Sequence, residues 1–397
     1  MLPTETDVLI VGAGPTGLAL AVSLKQAGID HVLIDALASG QNTSRAAVVH
    51  AHTLEALAEL GATAPLVEQG LKLSYFTIRD RDRPLLKIGF DELPSEYRCL
   101  LMVPQVTTES VLAERLEDLG GSIHRRVQAA HLLPGAEAVE AVLEDAGGAH
   151  SIRARYVVGA DGMRSMVREA AGIPFEGEAY GESFILADVR MEWPLGREEV
   201  SLFFSPAGLV VVAPLPDGSF RIVATVEDAP EIPSIEHVQQ LIDERGPSGG
   251  VSRVQEVIWG SRFRVHHRLA QRYRQGRLLV MGDAAHVHSP AGGQGMNTGL
   301  VDAVVLGRAL ARVIRDGADE ALLDDYAEIR RPAAAQVLTL AGRLTGLATT
   351  RSRPRRLLRN LVLRMIDHLP RVKQKLAMNL SGLARRALSR LPQAAAA

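Results

Sequence analysis

The chain has 397 residues, in which 44 Lys and Arg stand against 46 Asp and Glu, so the formal net charge is −2. Hydrophobic residues make up 47% and charged residues 23%, which excludes disordered and collagen-like classes and leaves enough apolar side chains for a large core. The length predicts roughly two to three domains, and the single cysteine, Cys99, excludes an internal disulfide, a cysteine-based zinc site and a protein-ligated iron–sulfur cluster.

The N-terminus does not have the pattern of a secretory leader. Glu5 and Asp7 precede a short apolar run, 8–11, which Gly12 interrupts. No apolar stretch reaches the ~18 residues that a membrane-spanning helix needs. We therefore expect a soluble protein of the cytoplasm.

The first predicted unit is a strand, a helix and a second strand. Residues 7–12 form a continuous apolar run, typical of a strand buried on both faces. An amphipathic, helix-forming stretch follows at 16–27, and 31–35 is again apolar. Such a βαβ unit must lie in a parallel sheet. Two further short apolar strands, 155–160 and 277–282, also run into glycine-rich turns.

The section 183–263 has a different pattern. Its apolar and polar residues alternate, and Pro-Ala-Gly and Pro-Asp-Gly turns interrupt it, which predicts an antiparallel sheet. Helix-like sequence follows from about residue 298 to the end. The predicted fold class is therefore α/β: a Rossmann-like parallel sheet with an inserted antiparallel sheet and C-terminal helices.

Residues 12–17 read Gly-Ala-Gly-Pro-Thr-Gly, a G-x-G-x-x-G pattern between the first predicted strand and its helix. Gly12 permits a tight turn, Gly14 lets the backbone approach a pyrophosphate, and Gly17 lets helix and strand pack closely. The helix N-terminus adds N–H groups and a favourable dipole. Asp35 stands 18 residues after Gly17, where a carboxylate can accept a hydrogen bond from a ribose hydroxyl. The pattern predicts dinucleotide binding, because a purely structural turn needs no acid there.

A second signature lies far downstream, between a predicted strand and a predicted helix. Residues 282–286 read Gly-Asp-Ala-Ala-His, and 289–297 form a glycine-rich loop. Asp283 can accept a hydrogen bond from a ribityl hydroxyl, and the loop can present N–H groups to the pyrimidine edge of a flavin. A third element, Gly-Ala-Asp-Gly-Met-Arg-Ser at 159–165, again follows a strand. The second signature therefore favours a flavin dinucleotide.

In this order the three motifs resemble those of the group A flavoprotein monooxygenases, the single-component FAD-dependent aromatic hydroxylases related to para-hydroxybenzoate and phenol hydroxylases. The resemblance covers about residues 5–345, and 282–297 is its most specific part. It implies FAD as cofactor, Arg45 at the FAD diphosphate and Gln105 as an FAD contact. Residues 159–165 are similar to the family's Asp-Gly motif, which is associated with both the FAD pyrophosphate and the reduced nicotinamide.

The resemblance also implies the reaction. NADPH or NADH would reduce FAD, O2 would convert the reduced flavin into a C4a-hydroperoxide, and this would hydroxylate an aromatic small molecule, phenolic or polyketide-like. The cofactor-binding residues would then be Gly12, Gly14, Pro15, Thr16, Gly17, Asp35, Arg45, Gln105, Asp161, Asp283, Pro290, Gly293, Gly295, Met296 and Asn297.

Three parts are expected along the chain. A discontinuous FAD-binding domain comprises 1–73, 101–176 and 264–345. A substrate-binding antiparallel sheet domain comprises 74–100 and 177–263, and a basic helical C-terminal segment comprises 346–397.

No side chain has a certain catalytic role, because orientation and exclusion of water carry most of such catalysis. The candidates are His288 and Pro290. An inward-pointing Arg221 would favour an acidic or phenolate substrate. No metal is expected, since His286 and His288 are two positions apart with no Glu-x-x-His or cysteine partner. The predicted substrate contacts are Phe203, Val211, Pro214 and Arg221, with Phe204 and Val212 beside them.

The sequence departs from the family pattern in some positions, and it leaves alternative functions open. Many relatives carry arginine where His52 stands, so a charge near the cofactor is missing. The tryptophan-rich signature of flavin halogenases is absent, so halogenation is not expected. Two alternatives stay open on this scaffold: a flavin-dependent reductase or dehydrogenase, whose product gains no oxygen, and a non-catalytic flavoprotein partner in a biosynthetic complex, which shows no ligand-stimulated NAD(P)H oxidation.

The C-terminal segment carries a strong positive charge. Residues 351–390 contain twelve Lys and Arg and one acid, Asp367. Apolar positions recur there at helical spacing, which predicts an amphipathic helix. Its partner could be the protein's own body, which we favour, or an anionic membrane surface in a weak contact. Nucleic acid is not expected, because the segment has no aromatic side chains for stacking. The oligomeric state stays open.

Overall fold

The computed structural model describes residues 2–40, 46–226, 230–290, 292–348, 350 and 352–392. Its strands are β1 (Glu5–Val11), β2 (His31–Asp35), β3 (Val48–Val49), β4 (Leu71–Leu73), β5 (Tyr75–Asp80), β6 (Arg83–Gly89), β7 (Leu100–Met102), β8 (Ile123–Arg125), β9 (Gln128–Pro134), β10 (Val139–Asp145), β11 (Gly148–Gly159), β12 (Phe175–Glu192), β13 (Glu199–Ser205), β14 (Gly208–Pro214), β15 (Phe220–Val226), β16 (Arg253–Ala270), β17 (Arg274–Gln275), β18 (Leu278–Val280) and β19 (His286–Val287). Its α-helices are α1 (Pro15–Gln26), α2 (Ala51–Ala58), α3 (Thr63–Gln69), α4 (Gln105–Asp118), α5 (Met166–Ala170), α6 (Ile235–Arg245), α7 (Gly295–Ile314), α8 (Ala321–Ala348), α9 (Arg353–Asp367) and α10 (Pro370–Leu380). Two 3-10 helices span Gly282–Ala284 and Leu383–Ser389.

The first sheet is built around β1 and contains the predicted βαβ unit. β1 pairs in parallel with β2 and β11, β2 pairs in parallel with β8, and β11 pairs in parallel with β18. β9, β10 and β17 add antiparallel pairs at its margins. Because the parallel strands point the same way, the turns after β1, β2, β11 and β18 meet at one edge of the sheet.

α1 is more deeply buried than its amphipathic pattern predicts. Residues 17–22 and Leu24 are all buried, because α4 and α7 pack against this helix while its own strand pair lies beneath it. The glycine-rich turn that precedes α1 is therefore held by packing on several sides.

The second sheet is the predicted antiparallel insertion. Its strand order is β19-β16-β12-β15-β14-β13-β5-β6, antiparallel except where β13 meets β5. One face packs against α6 and the other forms a core with the C-terminal helices. A small third sheet, β3-β7-β4, lies beside them. The parallel sheet with its separate antiparallel sheet confirms the predicted fold class.

The C-terminal helices dock on the body of the protein. α9 and α10 pack against β6, and the Lys87 N–H of β6 donates to Asp367 Oδ1 at 2.9 Å. α9 buries Arg359 and Leu363, whereas most of its predicted apolar positions face outward. In the described ranges, no helix combines the length and the apolar character needed to cross a membrane.

Gly17→Ala is expected to lower the free energy of unfolding of the apoprotein by about 1–3 kcal/mol, the usual cost of an overpacked site. A Cβ at this position would overlap the carbonyl oxygen of Gly12, which is backbone and cannot move aside cheaply. Urea titration checks this, with Gly14→Ala as the control, because a Cβ there meets no heavy atom within 4 Å. Equal midpoints for the two variants would contradict the expectation.

Candidate active site

A cavity of about 790 Å³ is lined by residues of both large sheets. One part of its wall consists of the turns after the parallel strands and includes Gly14, Asp35 and Asp161. The other part is mainly apolar and comes from the antiparallel sheet and the C-terminal helices. Representative residues of that apolar wall are Phe76, Phe184, Leu202, Val211, Phe263 and Leu380.

The glycine-rich turn and Asp35 form one hydrogen-bonded unit. The Ala13 N–H donates to Asp35 Oδ2 and the Leu37 N–H donates to Asp35 Oδ1, each at 2.8 Å. Arg125 lies 3.5 Å from the same carboxylate. Gly14 is the N-cap of α1 and provides no side-chain cap. Pro15, at the first helical position, has no N–H, so the N–H groups that follow it in the first turn are left for a ligand at the cavity wall.

Gln105 begins α4 and lines the cavity together with Glu109. Its Nε2 donates to Glu109 Oε1 at 2.8 Å, and its Oε1 accepts the Ala46 N–H at 3.4 Å. Burial raises the pKa of Glu109 more than the hydrogen bond from Gln105 lowers it. Sequence reasoning missed Glu109, although its place one helical turn after Gln105 is a usable signal. The predicted Arg45 lies outside the described residues.

The Asp-Gly and Gly-Asp motifs face the same cavity. Asp161 Oδ2 accepts the N–H groups of Met166 at 2.8 Å and Val167 at 3.3 Å, which fixes the turn before α5. Burial raises the pKa of Asp161 despite these bonds. Asp283, after β18, lines the cavity with an exposed side chain.

A buried carboxylate on α7, Asp302, holds the Gly-Asp motif in place. Its Oδ2 lies 2.7 Å from His286 Nε2 and accepts the Gly282 N–H at 3.2 Å, while Arg330 Nε donates to Oδ1 at 2.7 Å. Burial raises the pKa of Asp302, but Arg330 and His286 outweigh it and the pKa is lowered. His286 thus belongs to the core. Sequence reasoning missed Asp302 and Arg330, which carry no local motif.

The two candidate catalytic residues, His288 and Pro290, both line the cavity. His288 Nδ1 lies 2.8 Å from the Ser289 carbonyl oxygen, and burial lowers the pKa of His288 to about 4. His50, which sequence reasoning missed, also lines the cavity; its Nε2 lies 3.0 Å from the Gly292 carbonyl oxygen. Burial again lowers the pKa, to about 4. Both imidazoles are therefore neutral at pH 7.

Asn297 positions the loop before α7 rather than lining the cavity. Its Nδ2 donates to the carbonyl oxygens of Val48 and Gly293, and its Oδ1 accepts the His50 N–H, all at 2.8 Å. Gly17 likewise lies behind the wall, packed on Gly12. The other predicted loop residues that line the cavity are Gly293, Gly295 and Met296.

Gln294 ties this loop to the C-terminal segment. Its Nε2 donates to the Leu380 carbonyl oxygen at 2.9 Å and lies 3.1 Å from His50 Nε2. Its Oε1 accepts a hydrogen bond from Arg385 at 2.9 Å. Burial lowers the pKa of Arg385 to about 10, so this side chain keeps its charge at pH 7. Sequence reasoning missed both residues.

The structure brings only some of the predicted substrate contacts to the cavity. Val211 and Arg221 line it, whereas Phe203 and Pro214 do not. Phe203 points to the opposite face of the sheet, where its ring meets Trp193 at 5.9 Å. Successive strand residues alternate between faces, so Leu202 takes the place at the cavity. Phe204 and Val212 are buried away from the lining.

Arg221 reaches the cavity with its charge already balanced. Its Nε and Nη2 donate to the two carboxylate oxygens of Asp188, both at 2.7 Å. Its Nη1 donates to the Ala46 carbonyl oxygen at 2.8 Å. The side chain therefore clamps the antiparallel sheet to the segment that leads into β3.

A cationic cluster forms another stretch of the lining, which contains Arg164, Arg264 and His266. Burial lowers the pKa of His266, and Arg268, Arg164 and Arg264 lower it further. All three guanidinium groups are near enough to this imidazole to disfavour its protonated form. Such a cluster suits an anionic ligand.

Comparison with known proteins agrees with the motifs that line the cavity. Residues 5–341 match the family model of an FAD binding domain. The 6-methylpretetramide 4-monooxygenase of Streptomyces rimosus is 39% identical over 360 residues, which make up 88% of this chain and 64% of that protein. The chain therefore spans less than two thirds of the length of this relative.

Solved structures resemble the whole described fold. The anhydrotetracycline hydroxylase of Streptomyces rimosus superimposes with a TM-score of 0.82 and 33% identity, over 98% of this chain and 78% of that one. The p-nitrophenol 4-monooxygenase of Pseudomonas putida gives a TM-score of 0.87 over 96% and 99% of the two chains. With 24% identity, this second likeness shows the fold alone.

Acidification is expected to destabilise the protein through the two cavity histidines. Between pH 6.5 and about 4, an unfolded imidazole binds a proton, whereas native His50 and His288 stay neutral. In this range the unfolded state binds more protons than the native state. The free energy of unfolding therefore decreases as the pH is lowered, by about 1–3 kcal/mol for each residue. Urea titrations over this range check the slope. The His50→Gln/His288→Gln variant should have a flatter profile, and an unchanged slope would refute the assignment.

Proposed function

Because the chain belongs to the group A FAD-dependent aromatic hydroxylases, we propose that it is an FAD-dependent monooxygenase that uses NADPH or NADH and O2 to hydroxylate an aromatic small molecule. One observation carries the proposal. The dinucleotide-type turns of the parallel sheet and an apolar wall of the antiparallel sheet line the same cavity. The names of its relatives, a 6-methylpretetramide monooxygenase and an anhydrotetracycline hydroxylase, support a phenolic, polyketide-like substrate.

The polar part of the cavity suits FAD. The N-terminus of α1 opens on it without a side-chain cap, and a Cβ at Gly14 would meet only open space, so backbone N–H groups can approach a pyrophosphate. Asp35 can accept from a ribose hydroxyl, and Asp283 from the ribityl chain. We assign the contact with the flavin edge to Gly295 and Met296, which line the cavity in the first turn of α7. Gln105 and Asp161 complete the proposed contacts, and Arg45 stays a sequence-based one.

Bound and reduced FAD would activate O2 for transfer of one oxygen atom to the substrate. The chain's own residues would exclude water and orient the substrate. The apolar wall supplies the dry surroundings, and Pro290, which has no backbone N–H, shapes the cavity next to the flavin loop. His288 holds its proton on Nδ1 toward the Ser289 carbonyl oxygen and stays neutral. Because the chain contributes orientation and exclusion of water, the oxygen transfer needs no charged side chain at the reacting carbon of the substrate.

The cationic cluster gives the reductant a place to bind. Reduced nicotinamide dinucleotides carry phosphates. Arg164, Arg264 and His266 line the cavity, and Arg268 acts with these two arginines on the pKa of His266. Guanidinium groups bind phosphate through paired N–H donors. We assign the phosphates of NADPH or NADH to this cluster.

The remaining expectations belong to the same proposal. We place the protein in the cytoplasm, which its single cysteine supports. We retain the predicted division into an FAD-binding domain, a substrate-binding sheet domain and the C-terminal segment 346–397. We also assign to that segment a weak contact with a membrane surface, separate from the chemistry in the cavity.

NAD(P)H oxidation by the FAD-loaded protein, screened over phenols, hydroxybenzoates and polycyclic phenols, tests the reaction. A fitting ligand is expected to accelerate oxidation and to leave as a product heavier by one oxygen atom. Val211→Trp should raise KM for that ligand about tenfold or more by filling the apolar wall, while Val211→Ala serves as the control. A product without added oxygen would favour a reductase. FAD binding without any ligand effect would favour a non-catalytic partner.

FAD binding by the glycine-rich turn has its own test. Gly14→Ala is expected to weaken FAD binding about tenfold or more without destabilising the apoprotein, because the new methyl group projects into the cavity. Titration of the apoprotein with FAD by flavin fluorescence measures the affinity. Gly346→Ala, an exposed glycine whose Cβ also meets open space, is the matched control. Equal affinities for the two variants would exclude this turn as an FAD contact.

A further inference from the structure

The outward face of α9 is apolar. Leu357 is 66% exposed, Leu358 62%, Leu361 57% and Met365 59%. These side chains and Val362 lie on one side of the helix, since successive residues turn by ~100°. We call this set the α9 stripe. Leu369 and Val372, at the start of α10, extend it and are also exposed.

The stripe cannot turn inward, because the opposite face of α9 is fixed to the protein. Arg359 donates to the Leu347 carbonyl oxygen at 2.7 Å, and its guanidinium lies 4.5 Å from the Phe204 ring centroid. Asn360 donates to Asp80 at 2.7 Å. The outward direction of the stripe is therefore set by contacts on the buried side of the helix.

Arginines border the stripe on both sides. By helical spacing, Arg353 and Arg364 lie along one border and Arg355 along the other, and all three are exposed. Asp367, the one acid between 351 and 390, is already engaged by the Lys87 N–H and by Lys373 at 3.2 Å. In the described part of the chain, none of the three arginines forms an ion pair with a carboxylate.

This combination matches an anionic lipid surface better than a second copy of the chain. Pairing two stripes would bring arginine borders together without carboxylates to balance them, which costs free energy. At a bilayer surface the leucines enter the acyl boundary, while arginines extend to the phosphates. We propose that the α9 stripe is the surface by which this protein binds anionic membranes. The inference sharpens the proposed membrane contact and does not depend on the hydroxylation reaction.

The position of α9 in the chain links the proposed membrane contact to the cavity. α8, which precedes it, and α10, which follows it, contribute Leu344, Ala348 and Leu380 to the cavity lining. Binding through the stripe would therefore bring this part of the apolar wall close to the lipid surface. An apolar aromatic molecule dissolved in the membrane would then be close to the protein that acts on it.

Flotation of the FAD-loaded full chain with vesicles tests the proposal. We expect binding to phosphatidylcholine mixed with phosphatidylglycerol to exceed binding to pure phosphatidylcholine about tenfold, and to weaken at high salt. Leu357→Gln/Leu361→Gln/Met365→Gln should abolish binding to both. Leu133→Gln/Ile232→Gln/Val251→Gln, which changes equally exposed apolar residues elsewhere, should bind like the parent. Arg353→Gln/Arg364→Gln should lose the preference for anionic vesicles.

A second readout guards against misfolded variants. Leu361→Trp adds a tryptophan to the α9 stripe. Vesicles with brominated lipids should quench the tryptophan fluorescence of this variant more strongly than that of the parent. FAD content and ligand-stimulated NAD(P)H oxidation, measured without vesicles, should be the same in all variants. These two measurements test the hydroxylase proposal independently of membrane binding. The membrane proposal is overturned if the parent does not float with anionic vesicles, or if the stripe variant floats equally well. A dimer by light scattering that the stripe variant dissociates would also overturn it and assign the face to a second copy.

Discussion

The geometry of the site depends on one buried ion pair, that of Asp302 with Arg330. Asp302 on α7 also holds His286 and the Gly282 N–H, while Arg330 on α8 donates to the Leu388 carbonyl oxygen at 2.8 Å. Three distant stretches of chain thus converge on charges withdrawn from water. Such burial costs several kcal/mol per ion unless both partners are present and hydrogen-bonded. The hydrogen bonds that hold the Gly-Asp motif therefore form one network with α7, α8 and the C-terminal segment.

The cavity is lined by both large sheets, which have no strand in common among the described residues. β12 follows β11 of the first sheet through α5, and β16 precedes β17 of the first sheet, so the two long paired strands of the second sheet connect directly to the first. Arg221 of the second sheet also donates to the Ala46 carbonyl oxygen, in the segment that leads into β3 of the small third sheet. Neither sheet alone encloses the cavity. The pairing of β16 with β19, and the hydrogen bond from the Ala270 N–H to the Ala285 carbonyl oxygen at 2.8 Å, join the second sheet to the Gly-Asp motif through backbone hydrogen bonds.

The fold class and the family were both predictable from the sequence, and both are confirmed, because their signals are local: apolar strands, glycines at fixed spacing and Asp35 at a strand end. The individual contacts of the site stay predictions. What the sequence could not supply depends on long-range packing. Predicting that Leu202 rather than Phe203 lines the cavity requires knowing which face of the sheet each residue of the strand points to. A shift of one residue in the strand's register reverses that assignment. The partnership of Gln294 with Arg385 joins residues 91 positions apart, and nothing local marks it.

The pairing of Arg221 with Asp188 has a consequence for which form of a weakly acidic molecule enters the cavity. An unpaired guanidinium would attract a phenolate, but here the positive charge is matched by a carboxylate at 2.7 Å. His50 and His288 add no charge at neutral pH. Arg164 and Arg264 belong to the stretch of the lining that is assigned to the phosphates of the reductant. Beside Arg221, an anion that left water would lose hydration without an equal return. The surroundings of Arg221 therefore favour the protonated phenol, and the apparent affinity for phenols that bind there should follow the fraction that is un-ionised in the surrounding solution.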